Sequence, residues 1–319
     1  MKALTFSTFG NSDVLEYKEI KDPVLQKGDL LVEMKAIGLN FADVYRRKGN
    51  YHLKGEPPFI AGYEGAGIVK DNNNNPAFKI GDRVAFADVP FANAELVAVP
   101  VTHAIPVPES ISLEMAASVL LQGLTAHYLA TDSHKTQPGE TVLIHACAGG
   151  VGQILTQISK LLGAKVIGLT SSENKKEYAL AQGADAVFLY NEDWKAKVLE
   201  FTSAGVDVVY ESIGSTLQDS FDVTKVRGQV VFYGMSGGDP AFVNPRMLMD
   251  TSKTLTGGDL WDHLTSKEER IKRANQLFDW IIDKKIIINE PAIFKLAEGK
   301  QAHDFLESRK SMGKIIMIP

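Results

Sequence analysis

The chain has 319 residues, enough for about two domains. Lys and Arg number 34 against 39 Asp and Glu, and the resulting net charge of −5 argues against a dedicated nucleic-acid or polyanion binder. A composition of 45% hydrophobic and 23% charged residues is that of a globular chain, and the one cysteine, Cys147, excludes an internal disulfide and a Cys-rich zinc lobe. The stretch Met1–Gly10 lacks a secretory pattern and no run of about 18 apolar residues occurs, so no membrane association and a cytoplasmic location are expected.

Residues 1–110 read as short strands joined by turns. Leu30–Ala36 alternates like a strand, Gly62–Val69 is a glycine-rich strand, and Gly81–Phe86 restarts a strand after the polar turn Asp71–Pro76. From Thr141 to about Gly258 the pattern changes. Thr141–His145, Lys165–Leu169, Ala186–Tyr190, Val206–Tyr210 and Gln229–Tyr233 are apolar runs separated by helical stretches, the first of them Val151–Leu162. Continuous apolar runs suit parallel strands buried on both faces, and the alternation predicts a doubly wound parallel sheet. Lys267–Lys284 and Gln301–Arg309 read as amphipathic helices and Lys314–Ile318 as a closing strand. The longest apolar cluster near the end, Ile286–Ile288, is strand-sized. A nucleotide-binding insert thus sits between two parts of one β-rich domain.

The strongest motif is Ala146-Cys147-Ala148-Gly149-Gly150-Val151-Gly152, directly after an apolar strand and opening a helix. Glycines there allow a tight turn and close approach of backbone N–H groups to a pyrophosphate, and the helix N-terminus adds partial positive charge. The second strand ends in Leu169-Thr170-Ser171-Ser172, followed by Glu173, Lys175 and Lys176. No carboxylate stands at the strand tip to receive a ribose hydroxyl, and a nearby lysine suits a 2′-phosphate, so NADPH is expected over NADH.

These residues, with Asn40-Phe41-Ala42-Asp43, Gly49-Asn50-Tyr51, Gly62-Tyr63-Glu64-Gly65-Ala66-Gly67 and Gly81-Asp82-Arg83-Val84, resemble the zinc-free NADPH:quinone reductase (zeta-crystallin-like) branch of the medium-chain dehydrogenase/reductase superfamily over essentially the whole chain. The resemblance implies an α/β fold: a GroES-like β-rich catalytic domain (1–122 and 261–319) with an inserted Rossmann domain (123–260), assembled as a homodimer. It gives Gly149, Gly150, Val151 and Gly152, with Ala148, to the pyrophosphate loop, and Lys175 and Tyr190 to the adenosine 2′-phosphate. Ser171 falls where the family often has glycine. Asn40 and Thr125 match residues beside the nicotinamide, and Ser212, Gly214 and Gly234 match loops lining the cleft. Arg309 matches a C-terminal residue near the phosphate end. Two departures stand out: Phe91-Ala92-Asn93-Ala94-Glu95 replaces the family's Gly-x-Tyr-Ala-Glu, and the Asn-rich turn is shorter.

Zinc relatives take their catalytic metal on an early Cys and a Gly-His-Glu motif; the corresponding segments here read Asn40-Phe41-Ala42-Asp43 and Gly62-Tyr63-Glu64, so no metal is expected. The acceptor must then already be electrophilic, as quinones and α,β-unsaturated carbonyls are. Tyr51 matches a proton-donating tyrosine of related enoyl reductases, and Tyr45, beside Asp43 and Arg46, is a second candidate acid. Asp43 is a candidate polarising group. The leading expectation is quinone reduction by direct hydride transfer. The alternatives are reduction of an enal, enone or enoyl thioester, and a non-enzymatic NADPH-binding structural or signalling role.

Overall fold

Alternation of buried and half-exposed residues along Asp29–Leu39 makes this 11-residue strand one-sided at its start and fully buried at its end. In the computed structural model, which describes residues 1–319, it is the centre of a seven-stranded sheet. It pairs antiparallel with Glu64–Asp71, Leu96–Pro100 and Ile315–Ile318. A three-stranded sheet, with Lys2–Phe6 between Glu16–Glu19 and Phe59–Ile60, completes the β-rich part. Leu4, Phe6, Leu30, Val32, Ile37, Leu39, Phe86 and Ile315 fill its core. This unit comprises Met1–Leu121, Leu264–Ile282 and Asn289–Pro319.

The second unit comprises Gln122–His263 and Asp283–Ile288. Its six strands are all parallel, in the spatial order Ala186–Leu189, Lys165–Thr170, Thr141–Ile144, Val206–Glu211, Thr224–Phe232, Thr254–Gly257. The chain starts in the middle of this sheet and winds outward one way, then the other. The order reverses between Thr141–Ile144 and Val206–Glu211, which is where an open α/β sheet leaves a crevice for a ligand. Leu143, Ile167, Leu169, Val209 and Val230 from these strands pack with Trp194, Val198 and Phe221 from the covering helices.

Two elements differ from the sequence-based expectation. Leu113–Tyr128 is a 16-residue helix that periodicity does not reveal. Ala116, Ala117, Val119, Leu120, Leu124 and Ala126 lie on one side of it and are buried, and Ser118 and Thr125 on the opposite, more polar side are buried as well, so burial here does not follow polarity. Ile286–Ile288 is irregular and falls in the second unit, whereas the sequence-based boundaries put it in the C-terminal part of the catalytic domain. The Gln157 side chain holds it there, accepting from Ile287 N at 2.8 Å and donating to Ile287 O at 3.0 Å.

Candidate active site

In the first unit, Asn40, Asp43 and Tyr45 come from the junction of the long strand with the helix Phe41–Arg47 and from that helix, and Tyr51 from the turn after it. Asn40 N–H donates to Asp43 Oδ2 at 2.9 Å, and Asp43 Oδ1 takes Arg46 Nη1 at 3.3 Å. Asp43 is therefore the capping acid of its own helix and half of a buried ion pair, the structural alternative to a polarising role that the sequence also allows. Burial pushes its carboxyl above the ordinary value, against the opposing pull of Arg46. Arg46 in turn lies with its guanidinium 3.6 Å from the Tyr63 ring centre and 5.0 Å from that of Tyr51. The Tyr45 and Tyr51 rings meet edge to face, 6.4 Å apart at 76°. The chain leaving the helix thus brings Tyr51 back against Tyr45, both half-buried, with the Arg46 guanidinium over the Tyr51 ring.

Asn40 is fixed at both ends of its amide. Its Nδ2 donates to Glu64 Oε2 at 2.8 Å, and its Oδ1 accepts from Lys314 Nζ at 2.8 Å. Lys314 also donates to Glu64 Oε2 at 2.5 Å, while Glu64 Oε1 accepts from Leu121 N at 2.7 Å. Asn40 and Glu64 fall in the two segments, Asn40–Asp43 and Gly62–Glu64, that the resemblance sets against the metal-binding motifs of zinc relatives. Here an amide, a carboxylate already committed to three donors and an ammonium converge, with neither thiol nor imidazole. That donor set, centred on a positive charge, does not suit zinc. Nowhere does the chain gather three or more His, Cys, Asp or Glu around one point. Lys314 is a residue that sequence reasoning assigns only to a closing strand; it lies 250 positions from Glu64, so no local pattern announces the pair.

In the second unit, the glycine loop leaves the C-terminal end of Thr141–Ile144 and opens the helix Gly150–Leu161, with Gly149 as its N-cap. Ala146 takes a left-handed φ of 48°, and a Cβ on Gly152 would run into the Ala146 carbonyl oxygen, so the closeness of helix to loop requires glycine there. The helix N-terminus at Gly150, Val151 and Gly152, partly open at Gly150 and Val151, is a fitting cradle for a pyrophosphate. Cys147 is sealed beneath this loop against Gly168, and burial pushes its thiol up to about 12. Lys175 lies in the helix Glu173–Ala181, one turn past exposed Ser171 at the tip of Lys165–Thr170. Glu173, the nearest carboxylate, leans 3.8 Å from Lys176. Thr125 is buried in the helix Leu113–Tyr128, and Arg309 is exposed behind the helix Gly299–Glu307 in the first unit.

The Tyr190 hydroxyl, which the resemblance gives to the 2′-phosphate, has other partners. It accepts from Ala146 N at 3.0 Å and lies 3.0 Å from His145 Nδ1. Ser212, Gly214 and Gly234 do share one place. Gly214 has φ of 89°, where a Cβ would meet the Gly238 carbonyl, and Gly234 packs on Ser212. Beneath them His145 and Glu211, 3.3 Å apart and fully buried, form a pair that the sequence does not reveal. Burial holds the His145 imidazole below its ordinary value against the pull of Glu211. For Glu211, burial raises the carboxyl, but His145, Ser220 and the N–H groups of Ile213 and Gly214 outweigh it and hold it low.

Residues 26–135 match the alcohol dehydrogenase GroES-like domain, and residues 150–280 match the zinc-binding dehydrogenase family. A quinone oxidoreductase of Pseudomonas aeruginosa is 36% identical, covering 100% of this chain and 99% of that one. A 2-haloacrylate reductase of a Burkholderia species is 35% identical over 97% of this chain and 96% of its own. The Escherichia coli quinone oxidoreductase complexed with NADPH superposes with a TM-score of 0.96 at 35% identity, over the whole of both chains. The chain belongs to the zinc-free quinone oxidoreductase branch of the medium-chain dehydrogenase/reductase superfamily.

Proposed function

We propose that this protein is an NADPH-dependent reductase of quinones that works by direct hydride transfer without a metal. The full-length similarity to quinone oxidoreductases, one of them solved with NADPH, carries this reading. The Gly149–Gly152 loop and Ala148 receive the pyrophosphate, Lys175 and Ser171 the 2′-phosphate side, and Ser212, Gly214 and Gly234 the wall of the crevice. Asn40 and Thr125 are the nicotinamide contacts, and Arg309 closes the phosphate end. The bound cofactor supplies the hydride. The protein's own part is to orient the partners and exclude water. Lys314 and Glu64 hold the Asn40 amide in one orientation. Tyr51 gives the proton to the reduced acceptor in this reading, with the Tyr45 ring edge to face against it.

A second reading, reduction of activated alkenes, is favoured by the similarity to a 2-haloacrylate reductase and by the Arg46–Tyr51 contact, since a cation over a phenol ring eases proton donation. Following NADPH oxidation with a quinone and a 2-alkenal in parallel, with NADH as control, separates the two. Faster turnover of the quinone supports the leading reading; turnover of the alkenal alone overturns it.

The protein is expected to act as a homodimer. Thr254–Gly257 leaves one edge of the parallel sheet open, and Phe242, Met249 and Val226 are exposed apolar side chains of the same unit. Light scattering of the purified chain tests this. No helix is long and apolar enough to cross a membrane, and a single buried thiol is compatible with the reducing cytoplasm we assign to it.

A further inference from the structure

Two residues that the proposed chemistry does not use lie under the crevice of the parallel sheet. His145 directly follows the strand Thr141–Ile144, and Glu211 ends Val206–Glu211; these are the neighbours between which the strand order reverses. His145, Glu211 and Ser220 are wholly buried. Ser220 Oγ donates to Glu211 Oε2 at 2.5 Å, and His145 Nε2 is 3.0 Å from the same Oγ. An ionised carboxylate only accepts, so the serine proton points to it, and the serine oxygen accepts from Nε2–H. His145 Nδ1 is then the acceptor for the Tyr190 hydroxyl, whose oxygen accepts the Ala146 N–H. Every hydrogen runs one way, from the glycine loop to Glu211. Glu211 Oε1 meanwhile accepts from Ile213 N at 2.6 Å and Gly214 N at 3.1 Å. That loop in turn binds the next, through Ser236 N to Ser212 O at 3.0 Å and Gly237 N to Ile213 O at 2.7 Å.

We propose that Tyr190, His145, Ser220 and Glu211 form a positioning relay that fixes the spacing of the three loops receiving the dinucleotide, and that the Tyr190 hydroxyl acts on the glycine loop, not on the 2′-phosphate. The proposal rests on the NADPH reading above. It has a signature that a phosphate contact lacks. The loops meet parts that NADPH and NADH share, so a disturbed spacing weakens both by the same factor, whereas loss of a 2′-phosphate ligand weakens NADPH alone.

The test measures dissociation constants for both dinucleotides by fluorescence in the wild type and in Tyr190→Phe, Ser220→Ala and Lys175→Ala, together with steady-state constants and the unfolding temperature without dinucleotide. In Tyr190→Phe and Ser220→Ala, both affinities are expected to fall about five- to tenfold in parallel, with KM for NADPH rising and kcat little changed. Lys175→Ala lowers the NADPH affinity alone. A loss in Tyr190→Phe confined to NADPH overturns the proposal in favour of a phosphate contact. Unchanged affinities with a lowered unfolding temperature overturn it in favour of simple packing. Absence of NADPH binding by the wild type is a different failure, that of the functional reading itself.

Discussion

Lys314 reaches across 250 positions of sequence to place its ammonium 2.5 Å from Glu64 Oε2, with both side chains sealed from solvent. Removing one partner of such a pair leaves the other charge buried and alone. Lys314→Met is therefore expected to cost about 3–5 kcal/mol in denaturant unfolding, and the double variant Lys314→Met, Glu64→Gln to recover part of it. Loss of less than about 1 kcal/mol would show that the pair contributes little beyond ordinary packing.

His303 gives the fold a pH limit. Its Nδ1 accepts from Arg47 Nη1 at 3.0 Å, and burial, with Arg47 beside it, lowers its value to about 3. As pH falls, the unfolded chain takes up this proton first. Stability is intact above the ordinary value of 6.5 and is lost at about 1.4 kcal/mol per pH unit on the way down toward 3. Urea titrations at several pH values in this window, for wild type and His303→Asn, check it: the variant keeps an acceptor but cannot titrate, so its curve should fall less steeply.

Gly152→Ala places a methyl against the Ala146 carbonyl, a backbone atom that cannot step aside. The helix must move from the loop, and NADPH affinity is expected to fall by about tenfold or more. Wild-type affinity, measured by fluorescence titration, would mean that the loop adapts.

Lys175→Ala is expected to raise KM for NADPH by about tenfold and to leave NADH unchanged, since a single charge-assisted contact contributes on the order of 1.5–3 kcal/mol at most. An equal loss for both cofactors would place Lys175 away from the 2′-phosphate.

Tyr51→Phe separates the two acceptor chemistries. Reducing an alkene requires protonation of carbon, whereas solvent can protonate hydroquinone oxygens. Alkenal turnover should fall by about a hundredfold or more and quinone turnover far less. Parallel losses would remove Tyr51 from the proton-donor role.

Where a pattern is local, the sequence shows it. The run Thr141–His145 and the glycines behind it specify strand, loop and helix within a dozen neighbours, and the missing acid after Thr170 is visible by inspection. Leu113–Tyr128 escapes because burial there does not follow polarity: Ser118, Thr125 and His127 are buried along with the apolar side chains. The Asn40–Glu64–Lys314 cluster and the His145–Glu211 pair escape because their members meet only after the sheets have formed. Asp43 shows a third case: a carboxylate three residues after Asn40 is the spacing of a helix cap, a local pattern that the structure fills, while its ion pair with Arg46 is the structural alternative the sequence allows.

The burial of Cys147 has a consequence for an enzyme that handles such substrates. Quinones and enals are Michael acceptors, and they alkylate exposed thiolates. The only sulfhydryl of this chain lies under the glycine loop with no accessible surface and its proton firmly held. The protein can therefore work among these electrophiles without offering them a cysteine to modify.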